Sequence, residues 1–466
     1  MNRREFFKLC NISRKIYKKK LNLIRASISE FNVMKSHSYY LDRYQHDSMN
    51  IFYFFKKIFK YFMNLSFYDQ NYKLDSENLI ISNFISTNQV EKKDSYFSHL
   101  IKIFNKKKIN YNILYRNISK SEIKLKKKNI FLTSAKRNIF IDIFFFFKIL
   151  FELYFLYFSL FFSKKKYSEK NFIKKSLGFK NIFSSLSNII EVIKIIKLVK
   201  SQKLKNIFFT FEGYAWEKIL CYKIRQVDKN INIYGYYFSI ISKYQFFPFE
   251  KINSDFLPNK ILTSGNVSKK KFISHGFKKN KVINIGSNNY ENPIKKNNKS
   301  KTCLVLTEFS KNEIYFILDF IKLVLKKNKK FKFILRLHPA SNKKNFRKKI
   351  YDYIKGYNIL LSQNKNIYFD FKKCNYALYR SSGSIIHATR SGLYPIYLKK
   401  SKELTIDPLY EINKYKICVE KPESFQKIIN IIDKKNNKNK TKKITSYCYN
   451  YYSKPNKKNI IKLVND

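Results

Sequence analysis

No Cys-x-x-Cys pair and no Cys/His cluster occurs in this chain, and its six cysteines lie far apart. That spacing argues against both a zinc site and a disulfide framework, and points to reduced cytoplasmic thiols. The P-loop pattern and G-x-G-x-x-G are missing, which argues against ATP hydrolysis and dinucleotide binding. Asp-x-Asp is missing too, so a sugar-nucleotide site built on that metal-binding pair lacks its marker. The first twenty residues contain no uninterrupted apolar core or cleavage site, and so do not read as a secretory signal. Glycine, proline and tryptophan are scarce, at 9, 8 and 1 residues, and Asp plus Glu number only 32.

Lys, Asn, Ile, Phe and Tyr fill the space instead. Lys plus Arg reach 95, for a formal net charge of +63. Such a charge points to nucleic acid or an anionic membrane surface. The abundant residues share A/T-rich codons, however, and the lysines run along the whole chain in KKK and KKN clusters typical of solvated faces. We therefore expect no nucleic-acid partner, and an anionic membrane or acidic glycan instead. A hydrophobic content of 44% is ample for folding, and 466 residues exceed one core.

Along the chain, residues 1–75 read as a basic, aromatic, helical appendage, with IFYFFKKIFKYFMNL (51–65) suited to a membrane surface or to packing on the domain. NLIISNFIS, DSYFSHLIKIFNKK and INYNILYRNI (78–118) form a strand–helix–strand unit with Asp94 or Ser95 as N-cap, which implies a parallel sheet. Residues 139–163 are the most apolar stretch, inside an insertion expected over 130–200. Asp142, Lys148 and Glu152 interrupt it, with Lys148 and Glu152 spaced to pair, so an interfacial or packed helix ranks above a span. From Asn206 the alternation resumes as a strand, an acidic turn, a helix (214–227) and a strand (231–238). LPNKILTSG, a short helix (268–275) and NKVINIGSNNY follow. ENPIKKNNKSK (291–301) reads as a linker. A second series occupies 302–440, and 441–466 reads as a closing helix. The expected fold is α/β: two Rossmann-like domains (76–290 and 302–440) facing a cleft.

Candidate chemistry sits where predicted strands end, the ligand edge of such sheets. Glu212, followed by Gly213, is either a general base toward a sugar hydroxyl or a helix N-cap anion. Glu217 is a second acid or an ordinary exposed residue. Pro339 halts a strand and presents His338, with Arg336 two residues back on the same side. Ser381, Ser382, Gly383 and Ser384 open a helix, as an anion cradle or a simple cap. Gly265 lies in the polar turn that ends a further strand, and Glu308 and Asp407 fall in turns after strands. His275 and His387 attract no role.

Glu212-Gly213, His338-Pro339 and Ser381-Ser382, in that order, resemble the metal-independent bacterial sialyltransferases of GT-B fold and the Kdo transferases. More broadly, FEGYAWEKIL, IYGYYFS, LPNKILTSG and LRLHP resemble surface-carbohydrate proteins of O-antigen and capsule loci, over about residues 75–410. The resemblance implies inverting transfer from a CMP-activated acidic sugar to a glycan or lipid-linked glycan, without metal or cofactor. It casts Glu212 as base, His338 as the group assisting departure of CMP, and Ser381 and Ser382 as phosphate ligands. It also implies a peripheral place on the cytoplasmic side of the inner membrane. One acid precedes Gly213 where the sialyltransferases have two, and Tyr237-Phe238 replaces an expected Gln-His pair. The rival readings are a teichoic-acid-type CDP-polyol phosphotransferase and a non-catalytic GT-B-like scaffold.

Overall fold

A computed structural model of the chain describes residues 182–250, 252–290, 301–341, 343–401, 405–433 and 438–465. It also describes 21–28, 65–66, 75–84, 93–117, 129–133 and 137–164, with isolated positions 166, 167, 170 and 403. Most of the expected appendage and nearly all of the expected linker lie outside these residues. The chain divides into two compact units: Met1–Ser239, Tyr244–Tyr290 and Ser453–Asp466 form unit 1, and Ile240–Lys243 with Glu291–Tyr452 form unit 2.

Unit 1 is built on a seven-stranded parallel sheet of β1 (Asn78–Phe84), β2 (Asn112–Asn117), β3 (Ile130–Leu132), β4 (Asn206–Thr210), β5 (Asn232–Tyr237), β6 (Lys260–Thr263) and β7 (Val282–Asn284). The spatial order is β3-β2-β1-β4-β5-β6-β7. This is the doubly wound order, and the direction of winding reverses between β1 and β4. All five residues of β4 are buried, which is why it reads as an unbroken apolar run rather than an alternation.

The helices of unit 1 are α1 (Leu23–Ile28), α2 (Ser98–Lys106), α3 (Ile139–Phe161), α4 (Ile182–Lys200), α5 (Ala215–Val227) and α6 (Asn266–Ser274). The N-cap of α2 is Phe97 rather than Asp94 or Ser95, and Asp94 instead orders the turn before the helix by accepting the backbone N–H groups of Tyr96 (2.8 Å) and Phe97 (2.5 Å). The stretch 130–200 is not wholly an insertion, because β3 pairs with β2 in the sheet. Lys148 and Glu152 do not pair with each other. Glu152 instead binds the buried Arg25 of α1, and the Lys148 ammonium lies 4.3 Å from the centre of the Phe144 ring. Among the described residues, no helix is long and apolar enough to cross a membrane.

Unit 2 repeats the plan with β8 (Thr302–Leu306), β9 (Lys332–Arg336), β10 (Ile359–Leu361), β11 (Tyr376–Tyr379), β12 (Tyr394–Leu398) and β13 (Ile417–Val419). They form a six-stranded parallel sheet in the order β10-β9-β8-β11-β12-β13, which reverses between β8 and β11. Its helices are α7 (Lys311–Lys327), α8 (Lys344–Ile354), α9 (Tyr368–Lys373), α10 (Ser384–Arg390), α11 (Phe425–Asp433) and α12 (Lys438–Tyr449). The expectation of two Rossmann-like α/β sheets therefore holds.

The closing segment is two helices rather than one. After α12 the chain rejoins unit 1, where α13 (Lys457–Asn465) buries Ile460 and Leu463 among Phe104, Tyr234 and Ile285. Backbone hydrogen bonds seat this return: Ser453 N–H to the Ser264 carbonyl (2.8 Å) and Asn456 N–H to that of Ile285 (2.9 Å). The Tyr234 hydroxyl donates to the Leu463 carbonyl at 2.8 Å.

Acid stability follows from two buried histidines. His99 on α2 has Nδ1 2.9 Å from Asn288 Oδ1, and burial lowers its pKa from 6.5 to about 4. Burial, with the nearby Arg390 charge, does the same to His387, to about 4. The unfolded imidazoles take up protons that the folded ones refuse, so stability falls as pH drops from 6.5 toward 4. Each histidine contributes on the order of 3 kcal/mol to that loss. Urea midpoints measured from about pH 7 to about pH 4.5 are expected to decline, and less steeply in His99→Gln. An equal slope in that variant would mean that His99 is charged in the native state.

Candidate active site

Glu212 lies just beyond β4 on the carboxyl edge of the unit 1 sheet, at the reversal point next to β1. Its turn is shaped by another acid. Glu217, in the first turn of α5, is 1% exposed, and its Oε2 accepts the backbone N–H groups of Glu212 (2.8 Å), Gly213 (2.7 Å) and Tyr214 (2.9 Å). Glu217 is thus neither an exposed residue nor an open second acid. Burial, then the neighbouring Glu212 carboxylate, push its pKa well above the usual range, while the three N–H donors pull the other way.

With the turn amides occupied by Glu217, the Glu212 carboxylate turns to the Ser239 hydroxyl, which donates to Oε1. Gly213 has φ +81°, and a Cβ there would stand 2.5 Å from the Phe247 carbonyl carbon. Only glycine fits beneath that loop. The loop is held down by a buried ion pair between Lys218 of α5 and Glu250.

Residues that sequence reasoning missed complete this edge. Arg116 at the end of β2 donates to Asn83 Oδ1 of β1 (3.1 Å) and lies 3.6 Å over the Trp216 ring. The Tyr96 phenol hydrogen-bonds Asn83, and its pKa is raised by burial first, with the charges of Glu212 and Asp94 adding to the rise. Tyr237 and Phe238 take packing roles. The Tyr237 hydroxyl donates to Gln245 (3.2 Å), and the Phe238 ring meets Tyr96 edge-on at 4.6 Å. Ser239 lies two residues past the end of β5, and a hydroxyl just beyond a strand on this edge is the signal that could have found it. Gly265 serves as N-cap of α6.

In unit 2, His338 stands just past β9, next to the reversal-point strand β8. Its backbone is pinned: the N–H donates to Thr307 Oγ1 (3.1 Å), and the carbonyl accepts from the Ser341 N–H (2.9 Å). Partial burial lowers the imidazole pKa. The exposed Phe309 ring lies edge-on at 6.3 Å. Pro339, also exposed, starts a short 3-10 turn. Glu308 is half-buried just beyond β8, and Ser381 and Ser382 follow β11, so these three flank the reversal point of this sheet. Gly383 is the N-cap of α10, which begins at Ser384.

Arg336 is not poised toward an open anion site. Its guanidinium binds Asp370 (2.9 Å), Ser362 (3.3 Å) and the carbonyls of Asn364 (2.5 Å) and Lys365 (3.0 Å), which ties down the loop after β10. Arg380 is buried between Glu313 and Glu403, at 2.5 Å from each. Asp407 is buried against Lys416 and accepts from the Tyr379 hydroxyl at 2.9 Å. His387 stacks on Tyr452, with ring centres 5.1 Å apart. Among the described residues, no group of three His, Cys, Asp or Glu side chains is arranged to hold a metal.

No family model and no curated protein matches the sequence. Solved structures similar to it include a UDP-GlcNAc 2-epimerase from Neisseria meningitidis, at 15% identity and TM-score 0.46 over 83% of this chain and 99% of that one. Another is the Methanocaldococcus jannaschii UDP-GlcNAc 2-epimerase, at 13% identity and TM-score 0.44 over 83% and 98%. A third is MurG of Acinetobacter baumannii, at 7% identity and TM-score 0.47 over 84% and 99%. At that level of likeness, none of their chemistry carries over.

The role of Glu217 is directly testable. Glu217→Ala leaves three turn amides without their acceptor and is expected to cost about 2–4 kcal/mol. Glu217→Gln keeps a carbonyl oxygen in place and is expected to cost about 1 kcal/mol or less. Urea unfolding of both variants reads the difference, and equal losses would show that charge rather than the acceptor holds the turn.

Proposed function

We propose that this protein is a glycosyltransferase of GT-B type that uses a nucleotide-activated sugar without a metal. In this reading the donor is a CMP-activated acidic sugar, and the acceptor is a hydroxyl of a surface glycan or its lipid-linked precursor, met at the cytoplasmic face of the inner membrane. The observation that carries the proposal is the Glu212 carboxylate, set at the reversal point of a doubly wound sheet, where the Ser239 hydroxyl donates to it.

Glu212 takes the proton of the acceptor hydroxyl as its oxygen attacks the anomeric carbon. His338 supplies a hydrogen bond to the departing phosphate, and Ser381 and Ser382 add hydroxyls to it. Direct displacement inverts the anomeric centre. A lowered pKa leaves the His338 imidazole neutral at neutral pH, so it acts in the unliganded protein as an N–H donor rather than as a cation. A phosphate at hand raises that pKa again.

Melting curves with CMP, CDP, UDP and GDP are expected to show the largest stabilisation with CMP. With CMP-activated acidic sugars as donors, Glu212→Gln is expected to lower turnover by about 10²–10⁴-fold while leaving the CMP-induced shift intact. His338→Ala is expected to reduce both. Release of CMP from CDP-glycerol would favour polyol-phosphate transfer instead, and the absence of any nucleotide shift would favour a scaffold.

A further inference from the structure

The outer face of α3 has no place in the chemistry proposed above, and its make-up is unusual for a surface helix. Ile149, Leu153, Leu156 and Leu160 turn inward, where α3 packs on α4 and α1. Phe144, Phe147, Phe151, Tyr154, Phe158 and Phe161 recur every three or four residues on the other side, and each is more than 50% exposed. A solvated helix carries charges at such positions. Here aromatic rings run from Phe144 to Phe161, along about 26 Å of helix at about 1.5 Å per residue. An apolar strip this long marks an interaction surface.

Charge identifies the occupant. Lys148 lies within the strip, and Lys164 and Lys166 stand exposed just past its end. The chain as a whole carries +63, so a second copy laid against this face would bring two strongly positive molecules together. An anionic lipid surface is complementary on both counts, with an apolar layer for the rings and phosphates for the lysines. Among the described residues no helix is long and apolar enough to cross a membrane, which leaves α3 a place along the surface.

We infer that α3 is a monolayer-inserting helix that seats the protein on an anionic membrane. Its aromatic strip enters the boundary between headgroups and acyl chains, while Lys148, Lys164 and Lys166 reach lipid phosphates. The inference rests on the membrane part of the reading above and is independent of its chemistry.

The test is sedimentation of the full chain with vesicles of phosphatidylcholine, alone or with about 30% phosphatidylglycerol. The wild type is expected to pellet with the anionic vesicles, and to do so only in part at high salt. Phe147→Glu/Phe151→Glu is expected to weaken that partition by at least about tenfold, with the melting temperature and any CMP-induced shift unchanged. Full vesicle binding by the double variant overturns the inference, as does a wild type that ignores anionic vesicles. A wild-type dimer that the double variant converts to monomer overturns it too, by assigning the face to a second copy. A missing CMP shift alongside normal vesicle binding counts against the catalytic reading alone.

Discussion

One oxygen atom, Oε2 of Glu217, determines what the centre of unit 1 can present. By accepting three consecutive backbone N–H groups it folds the chain after β4 into a tight turn, and it leaves the Glu212 side chain to face the sheet edge. The rest of the neighbourhood is fitted to that turn. Gly213 admits the Phe247 loop, the buried Lys218–Glu250 pair fastens the loop, and Ser239 meets the outward carboxylate. Breaking one member of a buried pair leaves an uncompensated charge that costs about 3–5 kcal/mol. The backbone of this turn is therefore held by buried partners on both sides.

Unit 2 divides its labour differently. Its two arginines near the sheet edge are structural: Arg336 ties a loop to Asp370, and Arg380 neutralises Glu313 and Glu403 in the interior. In the proposed reading, anion recognition on this edge falls to polar groups at the ends of β9 and β11. In that reading, hydroxyl, amide and imidazole donors would hold a phosphate without a fixed cation against it.

The strands, the order of β/α alternation and the Glu212 turn were legible in the sequence because parallel strands are buried on both faces and read as apolar runs. His338 was legible for a related reason: proline ends a strand, and the residue before it stands at the tip. Partners across the fold were not legible. Nothing local says that Arg336 turns toward Asp370, or that Glu152 meets Arg25 rather than Lys148 four positions away. These pairings depend on which elements the sheet order brings together. Ser239 was not legible either, because its meeting with Glu212 depends on the pairing of β4 with β5.

The return of Ser453–Asp466 to unit 1 sets an order of events during synthesis. Strands β1 to β7 leave the ribosome first, yet Ile460 and Leu463 belong to their core, and Gly286 is packed against Lys454 and Pro455. Unit 1 therefore waits, with part of its apolar surface uncovered, while the whole of unit 2 is translated. The half that emerges first is the half that is finished last.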